Sequence, residues 1–478
     1  LVLRKFSMKL EISIVRNVFT ASSLAVLAML SGCGTTGQQV ESEIAEAVAQ
    51  QINDVPEAFG EAAAQAAAIP VGWVDEFHDD TLKALVFEAQ ANNKNLAAAA
   101  ANVNRAQALA AQAGAALSPT ANFVAGDQRS GSPSSDVASA SGQSVGLQVS
   151  WEADLWGRLS AGERSATESF RAVQADYQYA QDSLAAATTS AYITSIEAKL
   201  QAAVAKDSVS ILTETLRIVQ VRYDNGMGDA QDVALSKSDL ASARESLITI
   251  EGSYRDSVRA LEILLGRYPS AETELPETLP ALPAAPPVGL PSELLERRPD
   301  VVAADRRVAA AFNNTEQAKA ARLPSLGLTG SFGGSSDALS SLLDPANLAW
   351  QAGTSLLVPI FDGGARKQEV KVATAEQEQA LAAYGATAQT AFAEVESALD
   401  QGSVLANRNV ELAEVATESA EAFRISQLRY KEGEAELLDT LTIQRRVNAA
   451  NSSLATIQRL QLQQRIDLYL ALGGDWKS

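Results

Sequence analysis

Cysteine and histidine each occur once in the 478 residues, as Cys33 and His78. A single thiol excludes disulfides and thiolate metal sites. A single histidine, in Phe77-His78-Asp79-Asp80, has no second His or Cys to complete a metal site with it, so it reads as a surface residue. Any Ser-His-Asp triad would have to use this same histidine. No Gly-x-x-x-x-Gly-Lys-Ser/Thr loop occurs, so nucleotide hydrolysis, where it is needed, belongs to a partner. Nothing points to a cofactor, a metal or an enzyme. Methionine is scarce too, at three residues, which leaves a methionine-lined copper route without support. Aromatics make up only 5%, and the long Ala-, Gln- and Glu-rich stretches fit extended packed helices better than several globular domains. Beyond the first thirty residues no stretch approaches the roughly 18 continuous apolar residues of a spanning helix. If the chain crosses a membrane, it must do so as a barrel. The net charge of −20 speaks against nucleic acid and anionic head groups as partners. Most of it reads as solvated helical surface, and the rest suits an aqueous pore that favours cations.

The N-terminal residues set the compartment. Basic Arg4, Lys5, Lys9 and Arg16 precede the apolar run from Leu24 to Leu30, the pattern of a secretory signal peptide. It closes on Leu30-Ser31-Gly32-Cys33, a lipobox, so residues 1–32 are expected to be removed and Cys33 to carry lipid at the start of the segment 33–72. Gly34, where aspartate would retain a lipoprotein at the inner membrane, directs the expectation to the outer membrane. Met8 fits a start better than Leu1.

Beyond this segment the chain is one plan written twice. Leu216-Arg217-Ile218-Val219-Gln220-Val221-Arg222-Tyr223-Asp224-Asn225-Gly226 returns as Phe423-Arg424-Ile425-Ser426-Gln427-Leu428-Arg429-Tyr430-Lys431-Glu432-Gly433, offset by 207 residues (430 − 223). At that offset Asp232 falls on Asp439 and Leu265-Gly266 on Leu472-Gly473. The proline-rich stretch 269–291 cannot continue a helix and reads as a linker between a first repeat, 73–268, and a second, 292–478. Glu296-Arg297-Arg298-Pro299-Asp300 reads as a helix start. Each repeat contains one stretch of strand texture, 118–152 and 323–361, with alternating apolar residues around a Gly/Ser-rich loop, and so predicts a β-hairpin. The four strands are too few for a closed barrel, which needs about eight; either copies assemble or the strands form a soluble sheet. From Gly157 to Tyr223 and from Gly364 to Tyr430 no proline intervenes, enough for helices of roughly 100 Å at ~1.5 Å per residue. The returning segments carry a narrow seam, Leu240, Ala243, Leu247 and Ile250 matched by Val447, Ala450, Leu454 and Ile457. A soluble helical bundle explains the seam equally well; the hairpins and the lipid anchor separate the two readings.

Four motifs in order behind the lipobox resemble the TolC-like outer-membrane efflux proteins, in particular their lipoprotein branch working with RND pumps. They are Trp151-Glu152-Ala153-Asp154-Leu155-Trp156-Gly157-Arg158, Leu295-Glu296-Arg297-Arg298-Pro299-Asp300, Val358-Pro359-Ile360-Phe361-Asp362-Gly363-Gly364, and the paired Arg-Tyr-x-x-Gly turns. The resemblance covers essentially the whole mature chain. It implies an α+β membrane protein, with long coiled-coil-like helical hairpins forming a periplasmic tunnel and four strands per chain contributing to a twelve-stranded barrel in a homotrimer. It implies a passive exit duct for small molecules, completed by a periplasmic adaptor and driven by an inner-membrane pump. It places a periplasmic aperture beside the paired turns, with Tyr430 as gating tyrosine, Tyr223 as its repeat mate, and Asp232 and Asp439 as acidic ring positions. Ala435 stands where the best-known members have a locking arginine, so no arginine lock is expected. Asp232 and Asp439 also suit ordinary helix starts, and tyrosine at a seam suits a core. The adaptor is expected at the turns Asn225-Gly226-Met227 and Glu432-Gly433-Glu434. A lipid-anchored periplasmic scaffold that conducts nothing, and a type I secretion duct, are the competing readings.

Overall fold

The computed structural model describes residues 35–51, 59, 72–130, 140–289 and 291–476. The expected signal peptide and lipid site at Cys33 lie outside the described residues. Nine α-helices occur among these residues: α1 Thr35–Ala49, α2 Asp80–Asn92, α3 Lys94–Ala115, α4 Arg158–Asp224, α5 Ala230–Leu264, α6 Pro291–Arg297, α7 Pro299–Ala320, α8 Ala365–Glu432 and α9 Leu437–Ala471. None is long and apolar enough to cross a membrane. The uninterrupted α4 and α8, 67 and 68 residues long, occupy the two proline-free stretches. Each starts on an aspartate just upstream that satisfies orphan amides of the first turn. Asp154 accepts from the Leu159 and Ser160 amides at 3.0 and 2.8 Å. Asp362 accepts from the Gly364 and Arg366 amides at 2.9 and 3.2 Å. The acidic residue of each motif is thus a helix cap.

The strands β1 Thr120–Ser130, β2 Ala140–Ala153, β3 Ser325–Ser336 and β4 Leu348–Leu357 form one antiparallel sheet in the order β1-β2-β3-β4. The two hairpins therefore meet through β2 and β3, and β1 and β4 are left as edges. Where β2 meets β3, Gly146 faces Gly333. A Cβ on Gly333 would stand 2.2 Å from the Val145 carbonyl oxygen, and one on Gly146 would stand 2.8 Å from that of Phe332. Only glycine permits this approach. One cross-strand row, Phe123, Leu147, Phe332 and Trp350, runs over all four strands, and each member is exposed. That apolar face is the reverse of a soluble sheet, whose alternation buries the apolar side. Gly142-Gln143-Ser144-Val145-Gly146 spells a Gly-x-Ser-x-Gly pattern, but it lies inside β2 and is paired on both sides at Ser144, not at a strand-to-helix elbow.

Chain contacts divide the molecule into two compact units, each drawing on both repeats. One holds the sheet with Val103–Gln174 and Ala303–Ala386. In it the start of α4 lies on α7, with Arg164 Nε donating to Asn313 Oδ1 at 2.9 Å and Ser165 Oγ to the Ala310 carbonyl at 2.9 Å. The other holds Asp54–Asn102, Ala175–Val302 and Thr387–Ser478. Its main core gathers Trp73, Phe77, Tyr192, Ile196, Leu261 and Ile466, with Trp73 stacked on Tyr469 at 5.6 Å. His78, exposed at φ 50°, ends the short 3-10 helix Trp73–Phe77. Its neighbour Asp79 caps α2 through the Leu82 amide and accepts the Tyr192 hydroxyl at 2.7 Å, so this acid has structural work.

Pro299 opens α7 as the sequence suggests, and Arg298 just before it is the largest charged group in the interior. It is 2% exposed, paired with Asp300 at 2.7 Å and with Glu394, and donates to the Ala471 carbonyl at 3.1 Å. Two carboxylates and a carbonyl compensate its desolvation, without which a buried cation would cost several kcal/mol, of the order of 3–5 on loss of a partner. Residues 269–289 form neither helix nor strand, and Pro291 already belongs to α6. The linker is tied at its start by Glu262. Burial opposes charge on this carboxylate, but the Ala271, Glu272 and Thr273 amides and the Thr273 hydroxyl all donate to it and hold its pKa below the usual value.

Candidate functional site

The expected aperture and docking residues collect at two helical tips, α4–α5 and α8–α9, within one unit. Both tips reverse by the same backbone device. At the first, the Gly226 amide donates to the Tyr223 carbonyl and the Met227 amide to that of Arg222; at the second, the Gly433 amide donates to Tyr430 and the Glu434 amide to Arg429. Gly226 and Gly433 sit at φ 70° and 81°, the left-handed helix end that glycine adopts without penalty. The chain then re-enters a helix. Asp229 caps α5 by accepting from the Gln231 amide at 3.0 Å, whereas Glu436 before α9 makes no such side-chain bond.

Asp232 and Asp439 both fall in the first turn of their returning helices. Asp439 is exposed and Asp232 half-buried. The repeat-related tyrosines part company: Tyr223 is 44% exposed, while Tyr430 is 6% exposed in a cluster with Leu212, Val219, Val233, Leu240, Leu437 and Leu441, against which Ala435 also packs. Seam residues of the second repeat, Val447, Ala450 and Ile457, are buried, as are the small polar Ser419 and Ser426. Ser426 and Thr440 share a hydrogen bond at 3.0 Å. In the first repeat only Leu240 of the corresponding four is buried.

Sequence reasoning missed the tips' most specific contact. Arg222 of the first repeat donates through Nη1 to the Tyr430 carbonyl at 2.9 Å, and its guanidinium lies 5.0 Å from the centre of the Tyr430 ring. The bond is charge-assisted, the stronger class of hydrogen bond, and the cation–π contact adds to it. Burial pushes the Tyr430 phenol above its ordinary pKa, with Arg222 opposing and Asp232 adding to the rise. Arg222, Tyr430 and Asp232 thus form one electrostatic group joining the two tips. The only trace in the sequence is that arginine precedes tyrosine in both repeats. Ala435 only packs against the cluster that holds the tyrosine, and the arginine that reaches the tyrosine comes from the first tip. Among the exposed, mostly polar residues of the two tips, Met227, Leu428 and Leu438 are apolar and each more than half exposed.

The family description "Outer membrane efflux protein" matches residues 85–267 and again 290–474. The chain is 33% identical over 436 residues to the pyoverdine export outer membrane protein OpmQ of Pseudomonas putida, covering 87% of this chain and 91% of that protein. It is 31% identical over 437 residues to the outer membrane protein OprJ of Pseudomonas aeruginosa, covering 88% and 90%. Among solved structures, the outer-membrane channel OprN superposes with a TM-score of 0.82 at 27% identity, over 90% of this chain and 98% of that one.

Proposed function

We propose, from the premise that this chain belongs to the outer membrane efflux protein family, that it is the homotrimeric exit duct of a tripartite system. In that system an adaptor docks at the two tips and an inner-membrane RND-type pump supplies the energy. The chain is an outer-membrane efflux channel of TolC-like α+β fold and not an enzyme; the copy number, the partners and the roles of individual residues are our proposal. Its carrying observation is the four-stranded sheet with an exposed apolar face and unpaired edges at β1 and β4. Such a sheet satisfies its backbone groups in a bilayer only by closing with other copies. Cys33 anchors the first residues to the outer membrane, and the repeats 73–268 and 292–478 supply two similar halves per copy.

At the periplasmic end, threefold symmetry makes rings of three carboxylates from Asp232 and from Asp439, which attract cations in a narrow mouth. The Arg222–Tyr430 contact holds the tips in the resting arrangement. The exposed apolar residues beside Gly226 and Gly433 offer the adaptor its footing. The cargo is of the small-molecule class, toxic compounds or siderophores such as the pyoverdine named for OpmQ. The test is to delete the gene together with overlapping ducts, restore it, and measure cargo export alongside conductance of the purified protein in planar bilayers. Restored export with ion conductance is expected. A protein that binds envelope partners but conducts no ions would be a scaffold instead.

A further inference from the structure

We propose that the loop between β3 and β4, residues 337–347, lies against the membrane and not over the channel mouth, with Leu339 and Leu343 seated among the acyl chains beside the sheet. The inference rests on the reading of the chain as a barrel-forming oligomer, and it gives lipid as the occupant of a surface that a lid over the pore would leave in water.

The two faces of the sheet differ in chemistry. On one face the row Phe123, Leu147, Phe332 and Trp350 is followed, two residues nearer the loop on every strand, by Ala125, Val145, Gly334 and Leu348. One step further the row becomes Asp127, Gln143 and Ser336, and the apolar surface stops. On the opposite face the row Asn122, Gln148, Ser331 and Gln351 is wholly polar. Successive residues of a strand alternate between faces, so in a closed barrel the first face meets lipid and the second lines the water-filled interior.

The loop is folded onto the first face. Among the described residues of the four strands Gly334 alone is buried, and it belongs to the last apolar row. A Cβ built on it would collide with the Leu342 carbonyl oxygen and would meet the Leu348 side chain at 3.5 Å. Leu348 is the cross-strand partner of Gly334 and is even-spaced from Trp350, so the loop backbone covers the glycine from the apolar side. Hydrogen bonds within the loop hold it there. Ser336 Oγ and Ser341 Oγ share one at 2.7 Å, and the Ser341 carbonyl accepts from Asn347 Nδ2 at 2.7 Å and from the Asp344 amide at 3.1 Å. Leu342 is covered, at 8% exposed, whereas Leu339 and Leu343 on either side of it stand 72% and 71% exposed. Compact loops tied by their own groups commonly carry function, and two bare leucines on one that lies against a lipid-facing surface continue that surface. Transfer of such side chains from water to acyl chains is favourable, and the ordering cost of the loop is already met by its internal bonds.

Fluorescence quenching in the full-length protein tests the seating. Leu339→Cys, Leu343→Cys, Phe332→Cys and Ser331→Cys are each labelled with a polarity-sensitive fluorophore, and the unsubstituted chain controls for Cys33. All four positions are exposed, so the substitutions leave the packing of the fold alone. The proteins are placed in phosphatidylethanolamine–phosphatidylglycerol vesicles, and two quenchers are compared, a doxyl group on the acyl chain and iodide in the water. Phe332→Cys reports the lipid-facing side and Ser331→Cys the opposite one. The labels at both leucine positions should follow the label at Phe332, with blue-shifted emission and several-fold stronger quenching by the doxyl lipid than by iodide. Iodide quenching at either leucine position, with the Phe332 label still quenched from the lipid, overturns the seating and leaves the barrel standing. Iodide quenching of the Phe332 label as well overturns the barrel reading on which the seating rests.

Discussion

Removing the Arg222 side chain should loosen the tips and raise the open probability of the channel. Two contacts are lost per copy: the bond to the Tyr430 carbonyl at 2.9 Å and the cation–π contact at 5.0 Å. Arg222 is half-buried, so solvent screens both in part. A hydrogen bond from a charged donor contributes about 1.5–3 kcal/mol and a cation–π pair about 0.5–2 kcal/mol, and both also partly exist once the tips move. A net loss of about 1–2 kcal/mol per copy is the working figure, or roughly 5- to 30-fold in the closed-to-open ratio if each copy moves alone. Arg222→Lys keeps the charge but loses the planar guanidinium and should fall between wild type and Arg222→Ala. Tyr430→Phe keeps the ring and the carbonyl, and so should leave the Arg222 contacts standing. The assay is single-channel recording of purified protein in planar bilayers at neutral pH and fixed salt. If Arg222→Ala shows wild-type open probability while circular dichroism and oligomer mass are unchanged, the contact is packing and does not hold a gate.

Four further outcomes are expected. Asp232→Asn with Asp439→Asn removes six charges from a trimer, so cation selectivity measured as reversal potential in a salt gradient should fall markedly; an unchanged potential would make both residues helix-start acids only. At Gly226, nothing lies within 4 Å of an added Cβ, so the cost of substitution is the backbone alone, about 1–2 kcal/mol for an ordinary L-residue. Gly226→Asn should therefore keep export and Gly226→Val should lose it with the oligomer intact, as read by cargo export and adaptor cross-linking. Cys33→Ser should abolish the acyl mass increment of the N-terminal peptide in mass spectra, and wild-type protein lacking that increment would refute the anchor. Asp182, 5% exposed, has its pKa pushed from 3.8 up to about 7 by burial and then by Asp475, against a bond from the Trp476 amide. The native state thus keeps a proton between about pH 4 and 7 that the unfolded chain has released. Stability falls as pH rises through that window and levels off above it, by up to the order of 4 kcal/mol. Asp182→Asn should flatten this component of melting temperature against pH, and parallel profiles for variant and wild type would rule the assignment out.

The hairpins and long helices were legible because local rules and tertiary outcome agree there. Alternation with glycine loops specifies strands wherever they lie, and 67 residues without proline leave a helix little alternative. The tip glycines were legible for the same reason, since the left-handed helix end is a local demand. Arg222 and Arg298 were not, because their significance depends on partners 208 and 96 residues away, Tyr430 and Glu394. In the string Glu296-Arg297-Arg298-Pro299-Asp300 the two arginines look alike; folding buries only Arg298. Alanine at 435 suggested a tyrosine without an arginine partner, and only the packing of the first repeat against the second brings Arg222 to it. The repeats are continuous in sequence, yet the compact units each take pieces of both, since a repeat read along the chain does not say which of its parts share a core.

The two repeats have diverged unevenly, and the pattern follows what each region must do. In the sheet, each half forms an uninterrupted antiparallel hairpin, and each long helix starts on an aspartate cap. The barrel proposed above, built from alternating halves, would tolerate little else, because one half slipped against the other would leave ladder groups unpaired in the bilayer. At the tips the shared element is the backbone reversal at Gly226 and Gly433, while the side chains have specialised. The first repeat supplies the arginine and leaves its own Tyr223 exposed; the second buries its tyrosine and gives its outgoing and returning helices the polar pair Ser426 and Thr440. A contact between unlike halves can be made once in each copy and tuned without disturbing the other half. On the proposed trimeric reading, likeness between the halves is retained where closure of the barrel would require it, and a gate at the tips would need only the likeness of identical copies.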